Sequence, residues 1–398
     1  MTRVEKVNSR IFLEGFLGML STFGPFVMDM YLASFPEIAA FYRTTPSLVQ
    51  MSLASCTVGL AAGQFVFGIV SDRYGRRIPL QLSLLLFLAV SMGCLFSPTI
   101  ALFVCMRFLQ GLAAAGAVVI SRSIAADCYS GEALARMFGI IGMINGVSTV
   151  LSPMLGGFVI GAYGWKSVFI TLFVIGLMML AGTVWLKESL PQRNRISLNW
   201  MSLFNDVRRI ARNGGYIIPT MQYGFVMAVI FVNLASGPFI MDGYGFSAEQ
   251  ISLTFGGNAI ALGIAAGLVS RFKDMRTVVC CSNTGMVMAS MLLAATLLLH
   301  LSFWAYEAAV FLLYLFVGAL CTATTTLAMD SERRNAGIAS AFFGATGYVA
   351  GGIVSPVVGI GNIYVTAAVL FVGLTSGNAV LTQILDGTIR KYYKTAGQ

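Results

Sequence analysis

The sequence predicts an all-α membrane protein with twelve transmembrane helices in two pseudo-symmetric six-helix bundles. Three observations carry this. First, 57% of the 398 residues are hydrophobic and only 10% are charged, whereas a soluble domain carries about 25% charged residues. Second, apolar runs long enough to span a bilayer, about 20 residues each, recur twelve times. Third, the two halves of the chain repeat one another. Gly68 to Ser71 matches Gly267 to Ser270, Gln50 to Leu53 matches Gln250 to Leu253, and Ser152-Pro153 matches Ser355-Pro356. Three matches in order at nearly one offset argue for a duplicated unit.

The twelve runs lie near 11–33, 47–70, 78–97, 99–122, 137–160, 165–186, 216–240, 248–270, 278–300, 303–327, 337–360 and 362–385. The first follows Arg3, Lys6 and Arg10. It is too long for a signal-peptide core and no A-x-A site follows it, so it is expected to stay as the first helix. With the amino terminus inside, 22 of the 25 Lys and Arg residues fall in cytoplasmic segments. Arg43 and Lys166 fall outside, and Arg107 lies within a run. This asymmetry predicts twelve helices with both termini cytoplasmic, in a multi-pass protein of the inner (plasma) membrane. The polar stretch 187–215 divides the chain into an amino-terminal bundle (1–186), a cytoplasmic linker (187–215) and a carboxy-terminal bundle (216–398). Residues Trp200 to Ile210 of the linker have the composition of an amphipathic surface helix.

The net charge of +9 belongs to these loops, so it sets orientation and gives no reason to expect nucleic acid. The seven cysteines form no C-x-x-C pair and read as small packing residues. One histidine, His300, cannot build a metal site. No G-x-x-x-x-G-K-[ST], H-E-x-x-H or G-x-S-x-G occurs. An enzyme, a cofactor and a resident metal are therefore not expected, and the protein reads as a monomer acting on a small molecule.

Charged and amide groups inside the apolar runs are the candidates for function, because such groups are costly in hydrocarbon. Arg107 sits nine residues into its run and is expected to face a cavity or a partner. Asp29, in Pro25-Phe-Val-Met-Asp-Met-Tyr31-Leu-Ala-Ser-Phe-Pro36, is the second deep charge. It is expected to take and release a proton, with Arg107 nearby to bias it; a helix-end carboxylate already in external water is the alternative. Phe26, Tyr31, Gln110, Asn145, Asn233, Asn258 and Glu14 are candidate cavity residues. For the three asparagines, hydrogen bonds between helices are the equal alternative. Glu14 and Glu307, each one turn inside its run, are expected to snorkel or pair at an interface, and Glu14 is the reserve candidate for a second proton or cation site.

Gly68-Ile-Val-Ser-Asp72-Arg73-Tyr-Gly75-Arg76-Arg77 fills the loop after the second run. Its order, G-x-x-x-D-R-x-G-R-R, resembles the signature loop of the major facilitator superfamily. Arg107-Phe-Leu-Gln110-Gly111 resembles the fourth-helix motif of its proton-driven exporters. The segment D-M-Y-L-x-x-x-P from Asp29 resembles the first helix of the bicyclomycin and chloramphenicol resistance subfamily, which usually has a proline where this chain has Ala33. Ser152-Pro153-Met-Leu-Gly156-Gly157 is similar to the antiporter motif G-P-x-x-G-G, with Ser152 replacing its first glycine. The resemblance implies the major facilitator fold and proton-coupled antiport of small amphipathic compounds. It also implies that Asp72, Arg73, Gly75, Arg76 and Arg77 latch the two halves on the cytoplasmic side. Export of a sugar, amino acid or other metabolite, and uncoupled facilitation, stay open.

Overall fold

The computed structural model describes residues 9–129, 131–192, 195, 208–210, 212–269, 272, 274–332 and 336–396. It is helical throughout, with no strand among the described residues. Nine segments are long and apolar enough to cross a bilayer, and three shorter apolar helices, Val147–Tyr163, Lys166–Gly182 and Phe342–Val358, bring the described spans to the expected twelve.

The first segment is not one helix, as its hydropathy predicts, but three. Helix α1 (Arg10–Ser21), α2 (Phe23–Asp29) and α3 (Phe35–Tyr42) are separated by Thr22 and by a 3-10 turn over Leu32–Ser34. Pro25 has no N–H for the carbonyl of Ser21, and its ring crowds that carbonyl. The Ser21 and Thr22 hydroxyls bond back to Gly18 and Met19 carbonyls, which further loosens the ladder there. Pro36 opens α3, where its missing N–H costs nothing. The second break therefore forms without a proline at Ala33. The Ser34 hydroxyl closes it by donating to the Tyr31 carbonyl at 2.5 Å.

The remaining helices are α4 (Pro46–Tyr74), α5 (Arg77–Leu95), α6 (Ile100–Cys128), α7 (Gly131–Tyr163), α8 (Lys166–Gly182), α9 (Gly214–Gly243), α10 (Ala248–Val269), α11 (Met275–Leu298), α12 (Phe303–Ser331), α13 (Ala336–Val358) and α14 (Ile363–Ala396). Several outrun their apolar stretches. Helix α6 carries Arg122 and Asp127 on its last turns, because the backbone ladder continues wherever water, as at exposed Arg122, or a partner, as for Asp127 with Arg76, satisfies the side chain. Of the surface helix expected at Trp200 to Ile210, residues 200–207 lie outside the described residues, and 208–210 are helical.

The chain divides into two compact units: Met1–Leu198 with Phe246–Gly256, and Asn199–Gly245 with Gly257–Gln398. In the first unit α4 and α6 cross with backbones in contact. A Cβ on Gly59 would stand 2.9 Å from the Leu112 nitrogen, and one on Gly63 the same distance from the Leu112 Cα. Only small residues permit this approach. The second unit repeats the device: a Cβ on Gly318 of α12 would stand 3.0 Å from the Leu262 Cα of α10. An aromatic cluster of Phe41, Tyr42, Phe103, Trp165 and Phe169 closes one end of the first unit. Cys56, Cys94 and Cys128 are buried, whereas Cys105, Cys280 and Cys281 are exposed.

Candidate functional site

Arg107 is wholly buried on α6, and its surroundings follow from its position. One turn on, Gln110 lies on the same face. Arg107 Nη1 donates to Gln110 Oε1 at 2.5 Å, and Gln110 Nε2 donates to the Ser91 hydroxyl of α5 at 2.8 Å. The second guanidinium nitrogen, Nη2, donates to the Val27 carbonyl at 2.8 Å. That carbonyl lies on the last turn of α2, where the helical ladder stops. The guanidinium carbon stands 3.9 Å from the centre of the Tyr31 ring and 5.8 Å from that of Phe169. Tyr31 is held in turn by Ser52, hydroxyl to hydroxyl at 3.2 Å.

Arg107 therefore keeps its charge without a carboxylate. The ion pairs among the described residues are Arg10–Glu14, Arg76–Asp72 and Arg76–Asp127. Burying a lone cation costs several kcal/mol. Hydrogen bonds to a charged group return about 1.5–3 kcal/mol each, and a desolvated cation–π contact about 2 kcal/mol. A planar guanidinium, with ring faces on its flat side and acceptors at its edge, suits such a site better than an ammonium.

Asp29 is the final residue of α2, two positions from Val27, and is half-buried. No hydrogen bond or ion pair reaches its carboxyl among the described residues. Its backbone, by contrast, is pinned on both sides. Arg107 grips Val27, and α7 presses on Met30 from the other flank. A Cβ on Gly156 would stand 2.7 Å from the Met30 carbonyl carbon, so only glycine allows the contact. The antiporter-like stretch of α7 thus seats the turn that carries Asp29. Pro153 lies inside α7 and Ser152 is buried beside it, its hydroxyl without a partner. Gly157 makes a second close contact within the same unit, against Ser252 and Ala248.

The other cavity candidates disperse. Phe26 and Asn145 are half-buried, and the Asn145 side-chain oxygen has no partner. Glu14 accepts from Arg10 Nε at 2.8 Å near the exposed start of α1. In the second unit Asn233 of α9 is fully buried and takes the interhelical alternative. It donates to the Tyr314 hydroxyl at 3.0 Å and accepts from the Tyr306 hydroxyl at 3.2 Å, both on α12. Asn258 of α10 is also fully buried and stands against the Glu307 carboxyl of α12, its hydrogen-bonding partner.

The signature loop is built around Arg76. Its guanidinium pairs with Asp72 in its own loop and, through Nε at 2.8 Å, with Asp127 at the end of α6. It also donates to the Ser71 hydroxyl at 2.9 Å. Burial works against the Arg76 charge, but Asp127 and Asp72 outweigh it and raise its pKa above the usual arginine value. Gly75 turns the chain at φ +92°, and a Cβ there would meet Glu188 and Arg195 side chains at 2.5 and 2.7 Å. Glu188 accepts from the backbone N–H groups of Arg76 at 2.8 Å, Arg77 at 3.2 Å and Leu190 at 3.0 Å. It caps the start of α5 from 111 residues away. Arg77 donates to the Val184 carbonyl at 3.2 Å, and Arg73 lies over the Tyr74 ring. These partners all belong to the first unit. Asp127 and Glu188 are the acids around this loop that motif reading missed. The available signal was that each is a rare acid just past the end of an apolar run, on the side where the arginines collect.

The sequence profile of the Major Facilitator Superfamily matches residues 16–356. Over 381 residues the chain is 34% identical to "Uncharacterized MFS-type transporter YdgK" of Bacillus subtilis, covering 93% of this chain and 94% of that protein. It is 26% identical over 377 residues to a "Bicyclomycin resistance protein homolog" of Haemophilus influenzae, covering 93% of each. Among solved structures, the xylose transporter XylE from E. coli superposes with a TM-score of 0.72 at 14% identity, over 94% of this chain and 97% of that one. At that identity the likeness speaks to the fold.

Proposed function

The chain belongs to the major facilitator superfamily, a multi-pass transporter and not an enzyme, and from that premise we propose that it exports small amphipathic compounds in exchange for protons. The observation that carries the reading is the state of Asp29. Its backbone is clamped by Arg107 at Val27 and by Gly156 at Met30, yet its carboxyl makes no hydrogen bond or ion pair among the described residues. An acid inside a membrane span that is not used to hold the span together is free to exchange a proton. Similarity to a protein named for bicyclomycin resistance supports a drug-like substrate class.

In this mechanism Asp29 takes a proton when its end of the transporter is open to the outside. It loses that proton to the cytoplasm when access alternates, and the substrate binds as the proton leaves. Arg107 acts on Asp29 through the backbone it holds at Val27, not through an ion pair. Phe26 and Asn145 offer contacts to the substrate, whereas Tyr31 and Gln110 are fully buried and serve to hold Arg107. Asp72, Arg73, Gly75, Arg76 and Arg77 form the cytoplasmic latch, with Asp127 and Glu188 holding its shape. The protein lies in the plasma membrane with both termini in the cytoplasm and works as a monomer.

The test is substrate-induced proton release from purified protein in detergent, measured with a pH dye and chloramphenicol as probe. Wild-type protein should release protons on binding, and Asp29→Asn should bind without release. Equal release from both proteins would remove Asp29 from the coupling.

A further inference from the structure

The arginines around the turn between α4 and α5 are unequally partnered. Arg76 takes both nearby aspartates, Asp72 and Asp127. Arg73, Arg77 and Arg195 form no ion pair among the described residues. Glu188, the third acid at this turn, gives its oxygens to backbone N–H groups. Lys187, exposed and next to Glu188 in the chain, adds to the positive side.

Arg77 stands where the polar turn meets an apolar face. It is half-buried, its Nη2 donates to the Val184 carbonyl at 3.2 Å, and its Nε is without a partner. Arginine carries five N–H donors, so most of this fork is unspent. Arg195 reaches the same turn. A Cβ on Gly75 would stand 2.7 Å from its Nη2, and its Nε is unpartnered as well. Beside Val184, Trp185 is 67% exposed. From Ile78 onward, α5 presents Ile78, Leu82 and Leu85, at i, i+4 and i+7, and these are 58%, 57% and 51% exposed. Helix α8 lies alongside, tied by Gln81 Nε2 donating to the Thr183 hydroxyl at 3.1 Å, and adds exposed Val174 and Leu177. Such a two-helix apolar face is one that lipid covers.

We propose that this corner binds an anionic phospholipid, with its phosphodiester on the Arg77 guanidinium and its acyl chains along Ile78, Leu82 and Leu85. A guanidinium edge matches two phosphate oxygens. Basic side chains at a membrane surface attract anionic headgroups, and an exposed tryptophan sits at headgroup depth. Arg195 and Arg73 add positive charge at the same turn. Acyl chains cover the α5 face whatever the headgroup, so what Arg77 selects is the headgroup above them. Free phosphate would meet the guanidinium but make no use of the apolar stripe that begins at the next residue, which favours the lipid. All these residues belong to the first unit, and Asp29 takes no part.

The test places full-length protein in phosphatidylcholine vesicles that contain a minor fraction of chain-dibrominated phosphatidylglycerol or, in parallel, of chain-dibrominated phosphatidylcholine. Bromine quenches the tryptophans it touches, and the difference between wild type and Trp185→Phe isolates the signal of Trp185. That signal should be quenched at about fivefold lower mole fraction of the brominated phosphatidylglycerol, the preference one basic side chain at the surface implies. Arg77→Gln should abolish the preference. Asp29→Asn should leave it unchanged, so failure of the proton-exchange reading would not touch this one. Millimolar inorganic phosphate should not displace the lipid. Equal quenching by the two lipids in wild type, a preference that survives Arg77→Gln, or its loss on adding phosphate, which would mark a soluble-anion site, each overturns the proposal. If Arg77→Gln fails to fold, Arg195→Gln takes its place and should lower the preference; an unchanged preference there overturns it equally.

Discussion

Glu188 offers the sharpest test of how the signature loop holds together. Its carboxylate receives three backbone N–H groups at 2.8, 3.2 and 3.0 Å. Two of them, from Arg76 and Arg77, belong to the start of α5, where the first N–H groups have no helical partner and carry partial positive charge. A fully buried hydrogen bond to a charged group contributes about 1.5–3 kcal/mol. Glu188 is half-exposed, and water replaces part of what is lost, so Glu188→Ala should cost the first unit about 2–4 kcal/mol. For a cooperative unit of this size each kcal/mol moves Tm by about 2–4 °C, giving a fall of about 4–16 °C. The free cysteines provide the assay: Cys56, Cys94 and Cys128 are buried in the first unit, so a thiol-reactive fluorogenic dye reports its thermal opening. Glu188→Gln keeps one acceptor oxygen and should fall between wild type and Ala. A Glu188→Ala protein melting within about 2 °C of wild type would refute the idea that this acid caps α5.

Four further outcomes follow from the geometry. Gly75→Ala meets both the left-handed backbone and the Glu188 and Arg195 side chains; it should lose at least about 1 kcal/mol in the same dye assay. Gly156→Leu should separate α7 from the Met30 carbonyl and abolish substrate-induced proton release, with the protein still monodisperse on size exclusion. Asn233→Ala leaves the Tyr306 and Tyr314 hydroxyls without this partner and should cost about 1–3 kcal/mol, whereas Tyr314→Phe, which removes one bond, should cost less by the same measurement. Asp274 caps α11 by accepting from the Thr277 hydroxyl and the Arg276 N–H, which lowers its pKa below the ordinary carboxylate value. Because the folded pKa is the lower one, this cap is fully present above the unfolded value and fades only as pH falls through the folded value. Amide exchange at Arg276 should stay protected down to pH values below the usual aspartate range.

The sequence by itself determined the number of spans, their approximate limits, the polar loops between them and the motif residues that carry the family resemblance. Those properties are local. A run of 20 apolar residues, a cluster of arginines or a proline after a serine can be read without knowing what lies across from it. Even the break in the first helix has local causes in Pro25 and Pro36, although hydropathy, which is blind to the backbone ladder, passes over it. What only the tertiary structure decided is who meets whom. Arg107 reads as a partner for Asp29, yet its donors go to Gln110 and to a carbonyl 80 residues earlier, and its flat face rests on Tyr31. Asn233 and Asn258 are the same residue type in similar apolar runs. One is held by two tyrosine hydroxyls and the other is set against the carboxyl of Glu307. Glu188 reads as one charge in a linker until the turn at Gly75 brings α5 beneath it. The reason is physical. Hydropathy sets how deep a helix lies, but glycine contacts such as Gly59 on Leu112 and Gly156 on Met30 set which faces touch and at what register. A shift of one residue along such a seam rotates every side chain by about 100° and gives each polar atom a different neighbour.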